Sequence, residues 1–135
     1  MKNLKLLIIL IGISFISCSE NDSTSITLED NVPGGSCEVD DPRLTDPNYE
    51  GTICCFQRNS ALSLNTPVIY EYLTNLSDPS VTWQIESGDI QIVSGQDSKI
   101  ITINLGENFE GGIIKVLGTS TDGLACSEAV VITTN

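Results

Sequence analysis

The sequence predicts an all-β protein, an antiparallel β-sandwich of about seven short strands behind a removable leader and an irregular linker. Three observations support this prediction. An apolar run of eleven residues lies near the start, a stretch rich in Ser, Thr, Asp and Pro follows, and β-rich runs separated by turn residues fill the remainder. With 135 residues, the chain has room for one domain.

Residues 1–17, MKNLKLLIILIGISFIS, have the features of a secretory signal peptide. Lysines precede an apolar run from Leu6 to Ile16, which is too short for a transmembrane helix, since a bilayer needs about 20 apolar residues. A signal peptide has an apolar region of about 7 to 15 residues and a small residue before the cut, here Ser17. We therefore expect residues 1–17 to be removed.

The residue after the expected cut is a cysteine. Phe15-Ile16-Ser17-Cys18 resembles the lipobox of bacterial lipoproteins. The resemblance implies that Cys18 carries fatty acyl chains such as palmitate and anchors the protein in a lipid bilayer, because two or three acyl chains bind a membrane stably. An ordinary signal peptide followed by a chance cysteine is the alternative.

Residues 18–51 are predicted to form a lipidated cysteine and a flexible acidic linker, since they show no helical or strand period. The residues after Cys18, Ser19-Glu20-Asn21-Asp22, resemble the export signal of surface lipoproteins in Bacteroidetes. That resemblance implies an outer-membrane protein facing the cell surface, whereas a plain acidic tether would leave it facing the periplasm.

Residues 52–135 are predicted to form the sandwich domain, because short runs with alternating apolar residues are separated by turns. In the clearest strand, Val81 to Glu86, Trp83 shares one face with Val81 and Ile85. We expect Trp83, Tyr70 and Ile103 in the core. The other predicted strands are Ala61 to Leu64, Val68 to Thr74, Ile90 to Val93, Lys99 to Leu105, Gly112 to Thr119 and Glu128 to Thr134.

The stretch from Tyr70 to Val131 resembles a known family. It contains VTWQI, SGDIQIVSGQDSKIITINLG, EGGIIKVLGTSTDG and LACS in that order, and it is similar to the PKD-like, immunoglobulin-like domains of Bacteroidetes surface proteins. The resemblance implies an immunoglobulin-like sandwich that serves as a non-catalytic spacer or binding module. The chain departs from the family in Asp97 and in the pair Cys54-Cys55, so no disulfide is carried over from the family.

Cysteines other than Cys18 number four, and an even number in an oxidising compartment predicts two disulfides. In a sandwich of this strand order, Cys54 and Cys55 lie at the same end as Cys126. Either of them can therefore pair with Cys126, and the remaining one would pair with Cys37. A bond between the adjacent cysteines would close a strained ring. A four-thiolate zinc site is a further alternative, although the adjacent pair lacks the usual spacer of a zinc site.

An acidic segment contains a loop that is similar to a calcium-binding loop. From Asp46 to Ile53, oxygen-bearing residues occupy the first, third and fifth positions and glycine the sixth, but the twelfth position is Gln57 rather than glutamate. The sequence leaves calcium binding and a solvated turn open. The carboxylates of the segment are Glu38, Asp40, Asp41, Asp46 and Glu50.

The composition argues against nucleic-acid binding and against most kinds of catalysis. The chain has 18 acidic and 6 basic residues, a net charge of −12 and no histidine, so nucleic-acid binding and histidine-dependent catalysis are not expected. Glu86 and Asp89 are candidates for a hydrolytic carboxylate pair. Since no nucleotide-binding or serine-nucleophile motif occurs, we expect no enzyme, no cofactor and no structural metal.

Three functions remain. The first is a surface lipoprotein whose sandwich serves adhesion, spacing or protein interaction. The second is a glycan-binding lipoprotein beside outer-membrane uptake machinery, in which Tyr49, Phe56 and Phe109, in or near loops, stack on sugar rings. A periplasm-facing structural lipoprotein is a third possibility.

Overall fold

The computed structural model describes residues 27–31, 37 and 40–135. Strands in this part of the chain form two four-stranded antiparallel sheets, so the predicted all-β sandwich is confirmed. The expected signal peptide, Cys18 and most of the expected linker lie outside the described residues. The strands are β1 (Leu28–Asn31), β2 (Cys54–Arg58), β3 (Val68–Thr74), β4 (Ser80–Ser87), β5 (Ile90–Ser94), β6 (Ile100–Leu105), β7 (Gly111–Thr119) and β8 (Ala125–Thr134).

The two sheets have different strand orders. Sheet A has the order β1-β8-β7-β4, and sheet B has the order β2-β3-β6-β5. Three hairpins, β2–β3, β5–β6 and β7–β8, stay within a sheet, while the connections β3–β4, β4–β5 and β6–β7 cross between sheets. Crossing connections of this kind place the inner faces of both sheets around one core.

The core lies between the sheets and is built on aromatic side chains. Trp83, Tyr70 and Ile103, the three residues expected in the core, are buried. The Trp83 ring lies 5.2 Å from that of Phe56, and its Nε1–H donates to the carbonyl oxygen of Ser98 at 2.7 Å. Because a buried indole N–H needs a partner, this bond fixes the turn after β5 over the edge of β4.

Six of the seven predicted strands occur, and one prediction is wrong. Ala61 to Leu64 is not a strand but part of the loop between β2 and β3. Its alternating leucines, Leu62 and Leu64, pack against the core from the loop, which explains the strand-like pattern. The Ser60 hydroxyl accepts a hydrogen bond from the Ile69 N–H, where a strand residue would have used its carbonyl.

The sheets also include two strands that the sequence pattern did not predict. One is β2, whose first residues are the paired cysteines. The other is β1, which lies within the expected linker and pairs with β8 from Leu28 opposite Thr134 to Asn31 opposite Val131. The folded part therefore begins earlier than residue 52.

The sandwich has two distinct ends. We call one the terminal end, because Thr27 and Asn135 exchange backbone hydrogen bonds there, at 2.8 and 3.4 Å. The loop 59–67 and the turn 106–110 lie at the same end. We call the other the cleft end. It contains the start of β2, the loop 75–79 and the hairpin turn 120–124.

Candidate binding cleft

A cleft of about 260 Å³ lies between loops at the cleft end. Three segments form it, residues 49–52 before β2, residues 75–77 after β3, and residues of the turn 120–124 between β7 and β8. These segments are far apart in sequence, and the two sheets bring them together. We refer to this site as the cleft.

Asn75 connects two walls of the cleft. Its side-chain oxygen accepts a hydrogen bond from the Ile53 N–H at 2.9 Å, and its side-chain nitrogen donates to the carbonyl oxygen of Gly51 at 2.7 Å. Residues 51–53 precede β2 and have no β-ladder hydrogen bonds to β3. The Asn75 side chain supplies one donor and one acceptor to their backbone in place of such bonds. Asn75 therefore holds residues 51–53 in a defined position beside β3.

The hairpin turn is held by its own side chains. Ser120 is buried, and its hydroxyl is hydrogen-bonded to the Asp122 carboxylate, whose Oδ1 also accepts from the Leu124 N–H at 3.4 Å. These bonds favour the ionised carboxylate, so the Ser120 hydroxyl first and the Leu124 N–H second hold the pKa of Asp122 below its usual value. The cleft thus presents a carboxylate with a fixed orientation.

Two large side chains at the cleft are exposed. Tyr49 has 38% of its surface accessible and Leu124 has 54%. The Tyr49 ring lies against Gly51, where a β-carbon would come within 2.7 Å of the ring. The ring lies this close to the backbone because position 51 has no β-carbon.

Two disulfides lie behind the cleft, as the cysteine count predicts. Cys54 is bonded to Cys126 and Cys55 to Cys37, with Cα–Cα distances of 5.9 and 5.6 Å. Since successive side chains on a strand point to opposite faces, the adjacent cysteines of β2 bond in opposite directions. Cys54 reaches β8 across the core, whereas Cys55 forms a small outer cluster with Cys37 and Ile53.

Arg43 is the basic residue close to Tyr49. Its side chain donates from Nε to Asp41 at 2.9 and 3.2 Å and from Nη2 at 2.5 Å. These hydrogen bonds lower the pKa of Asp41 to about 2, and Asp41 in turn raises the pKa of Arg43, with smaller contributions from Tyr49. The pair neutralises itself and adds no net charge next to the cleft.

The loop that resembles a calcium site is a hydrogen-bonded turn. Asp46 Oδ1 accepts from the Asn48 backbone N–H at 2.9 Å and from its side-chain amide at 3.2 Å. Gln57 lies in β2, opposite Glu71, rather than in the loop. In the described part of the chain, no three His, Cys, Asp or Glu side chains are placed together to hold a metal. Glu38 lies outside that part.

Two of the three aromatic residues predicted to bind sugars are buried. Phe56 faces inward from β2, so its placement in or near a loop is wrong. Phe109 lies in the turn 106–110, as predicted, but its side chain belongs to the core cluster; the exposures of the two side chains are 1% and 4%. The sequence missed β2 as a strand and therefore assigned Phe56 to a loop. The third residue, Tyr49, lies in the cleft.

The two candidate hydrolytic carboxylates have separate surroundings. Glu86 pairs with Lys115 at 3.6 Å on the outer face of sheet A. Asp89 accepts from the Asn108 N–H at 3.3 Å in the turn after β4. Neither lines the cleft.

A second concavity, of about 310 Å³, lies on the outer face of sheet A. It is formed by regular strand side chains, Thr82, Gln84, Lys115, Leu117 and Ser127. The cleft is the stronger candidate, because three separate loops form it and a disulfide and Asn75 fix those loops. No helix of the described segments has the length and apolar character to cross a bilayer.

The sequence identified one wall of the cleft, the segment around Tyr49 and Glu50, through its resemblance to a calcium loop. It did not identify Asn75, Asp122 or Leu124 as partners of that wall, because the only signal they carry is their position in predicted turns. Comparisons with protein-family models, curated proteins and solved structures found no match for this chain.

Proposed function

We propose that the protein is a lipid-anchored lipoprotein of the outer membrane that displays a non-catalytic, immunoglobulin-like, PKD-like sandwich at the cell surface. In this proposal the acylated Cys18 holds the bilayer, residues 19–26 form the tether, and the cleft serves protein interaction or adhesion. No catalytic residues, cofactor or nucleic acid take part.

The observation that carries the proposal is the position of the chain entry relative to the cleft. Thr27 lies at the terminal end, bonded to Asn135, whereas the cleft adjoins the first residues of β8. β8 has 10 residues and therefore spans about 30 Å. A tether that enters at Thr27 places the cleft at the opposite end from the membrane, where a partner can reach it.

The sheet order supports the immunoglobulin-like part of the proposal. In chain order, β2 to β8 occupy the positions of strands A to G, with A-B-E-D in sheet B and C-F-G in sheet A. The loops β3–β4 and β7–β8 then correspond to the B–C and F–G loops, which bind antigen in antibody variable domains. Both loops line the cleft.

Glycan binding has weaker support. A sugar platform needs several exposed aromatic rings, and the burial of Phe56 and Phe109 leaves Tyr49 alone of the three candidates. A periplasm-facing structural role differs from our proposal in location, and the experiment below distinguishes the two.

Protease treatment of intact cells tests the proposal. Cells that express the chain are treated with a broad-specificity protease, and the sandwich domain is detected beside a periplasmic control protein. We expect the domain to be lost while the control survives. Survival of both proteins would show a periplasmic location and contradict the proposal.

A further inference from the structure

We propose that the cleft binds an arginine side chain presented by a basic segment of a partner protein. This inference rests on the proposed function, because the cleft meets such a partner when it faces outward. The observations that support it are the charge of the cleft lining, its exposed apolar surfaces and its rigidity.

The cleft lining is negatively charged and lacks a compensating cation. Glu50 and Asp122 belong to it, whereas none of its residues is lysine or arginine. Glu50 makes no hydrogen bond or ion pair with any described residue, so its carboxylate is available. At Asp122 the internal bonds use Oδ1, which leaves Oδ2 for a ligand.

Exposed apolar surface accompanies these carboxylates. A guanidinium group stacks on aromatic rings, and its methylene stem packs on aliphatic side chains. Tyr49 and Leu124 provide one surface of each kind, from two different walls of the cleft. An arginine can therefore bind carboxylate and aromatic ring together, whereas the ammonium of lysine lacks the planar group that does both.

The walls are fixed before any ligand binds. The Cys54–Cys126 disulfide joins β2, which follows the wall 49–52, to β8, which follows the turn 120–124. Asn75, in the wall 75–77, is hydrogen-bonded to the backbone of Gly51 and Ile53. A preformed site loses little conformational entropy on binding. Calcium fits less well, since it takes six to eight oxygen ligands and no three acidic side chains converge in the described residues.

The test uses the purified, disulfide-bonded protein and three blocked pentapeptides. Each has glycine at four positions, with arginine, lysine or citrulline at the centre. We expect the arginine peptide to shift the backbone amide resonances of residues 49–52 and 120–124 in a saturable manner, and the lysine peptide to bind less tightly. Citrulline has nearly the same shape without the charge, so its peptide leaves these resonances unchanged. Added salt weakens the binding, because exposed charges are screened.

Charge-neutral variants locate the site. Glu50→Gln and Asp122→Asn each weaken binding of the arginine peptide about threefold, as expected for the loss of one exposed ion pair. Asn at position 122 can still accept the Leu124 N–H, so the turn is retained. The matched control is Glu107→Gln, which removes the same charge in the turn 106–110 at the terminal end and leaves binding unchanged.

Several results would overturn the inference. These are equal shifts from the arginine and citrulline peptides, equal weakening by Glu107→Gln, and a response of the cleft to calcium chloride with none to the arginine peptide. Each of them leaves the location of the protein unaffected, so this inference can fail while the proposed surface display holds. Conversely, a protein that binds the arginine peptide but resists protease on intact cells retains the site and loses the proposed location.

Discussion

The two ends of the sandwich are closed in different ways. At the terminal end, apolar side chains from connecting segments, Leu62, Leu64 and Phe109, pack onto the core and fill the opening between the sheets. At the cleft end, the Cys54–Cys126 disulfide joins the sheets, and polar loops surround a concave surface. Apolar side chains cover the core at the terminal end, whereas at the cleft end a covalent bond joins the sheets and the loop surfaces form a concave site.

The buried polar contacts also differ between the terminal end and the cleft end. At the terminal end, the Tyr70 hydroxyl donates to Asp30 at 3.0 Å, and Arg58 Nε lies 2.9 Å from the same carboxylate oxygen. This cluster attaches the short strand β1 to sheet B. Towards the cleft end, the Tyr72 hydroxyl donates to the Cys126 carbonyl oxygen at 3.1 Å, over Gly118, where a β-carbon would come within 2.5 Å of that hydroxyl.

The largest predicted effect concerns the disulfides. Replacing Cys54 and Cys126 by alanine lowers the free energy of unfolding by about 4 kcal/mol, since their sequence separation is 72 residues, whereas the matched variant of Cys37 and Cys55, separated by 18, loses about 3 kcal/mol. Urea unfolding of both variants measures the difference. A larger loss from the Cys37 and Cys55 variant would contradict the view that the inter-sheet bond closes the cleft end.

The same substitution, Tyr to Phe, at two positions of β3 tests how much each tyrosine hydroxyl hydrogen bond stabilises the fold. Tyr70→Phe removes a hydrogen bond to a carboxylate and lowers the free energy of unfolding by about 2 kcal/mol, whereas Tyr72→Phe removes one to a carbonyl and lowers it by about 1 kcal/mol. Thermal and urea unfolding of both variants test this order. Equal losses would mean that Asp30 adds nothing beyond a neutral acceptor.

Alkaline pH provides a third comparison. Burial raises the pKa of Tyr70 above its ordinary value of 10.0, and the neighbouring Asp30 raises it further. Above pH 10 the unfolded chain loses this proton and the folded chain keeps it, so stability is complete below that pH and falls above it, by about 1 kcal/mol per pH unit. Urea unfolding between pH 9 and 11 should give a shallower decline for Tyr70→Phe than for the wild type. Parallel declines would refute this assignment.

The smallest effect is a local titration beside the cleft. Hydrogen bonds from Arg43 lower the pKa of Asp41 from 3.8 to about 2, so this carboxylate stays ionised in mild acid. Arg43→Gln should return the pKa towards 3.8, as measured by carbon-detected NMR of the carboxyl group. An unchanged titration would show that Arg43 is free in solution and adds a positive charge near the cleft.

Strands β3 to β8 were predictable from sequence because apolar residues recur at every second position in them. Val68 to Thr74 was predicted with the bounds that the structure has, and β4 to β8 were predicted within a few residues. Five of these six strands have six or more residues, and one face of each packs against the core, so the period-two signal is strong. The two disulfides were predictable for a related reason, since four cysteines were left after Cys18.

Two of the four edge strands, β1 and β2, were not predictable, whereas the edge strands β4 and β5 were. β1 consists of Leu28, Glu29, Asp30 and Asn31, and Asp30 faces inward because Tyr70 and Arg58 bind it. No local pattern reveals a charge that is satisfied by residues far along the chain. Only one wall of the cleft was predictable. The residues of the other two walls lie far away in sequence, and only the pairing of the strands brings their loops next to the first wall.

A tag inserted in the hairpin turn tests the central claim most directly, that the cleft lies at the membrane-distal, outward end. Gly123 is suited to insertion, because the space around it is open. An epitope tag after Gly123 is detected with antibody on intact cells and again after the outer membrane has been permeabilised. Our account predicts equal labelling in both conditions. Labelling that appears only after permeabilisation would contradict it.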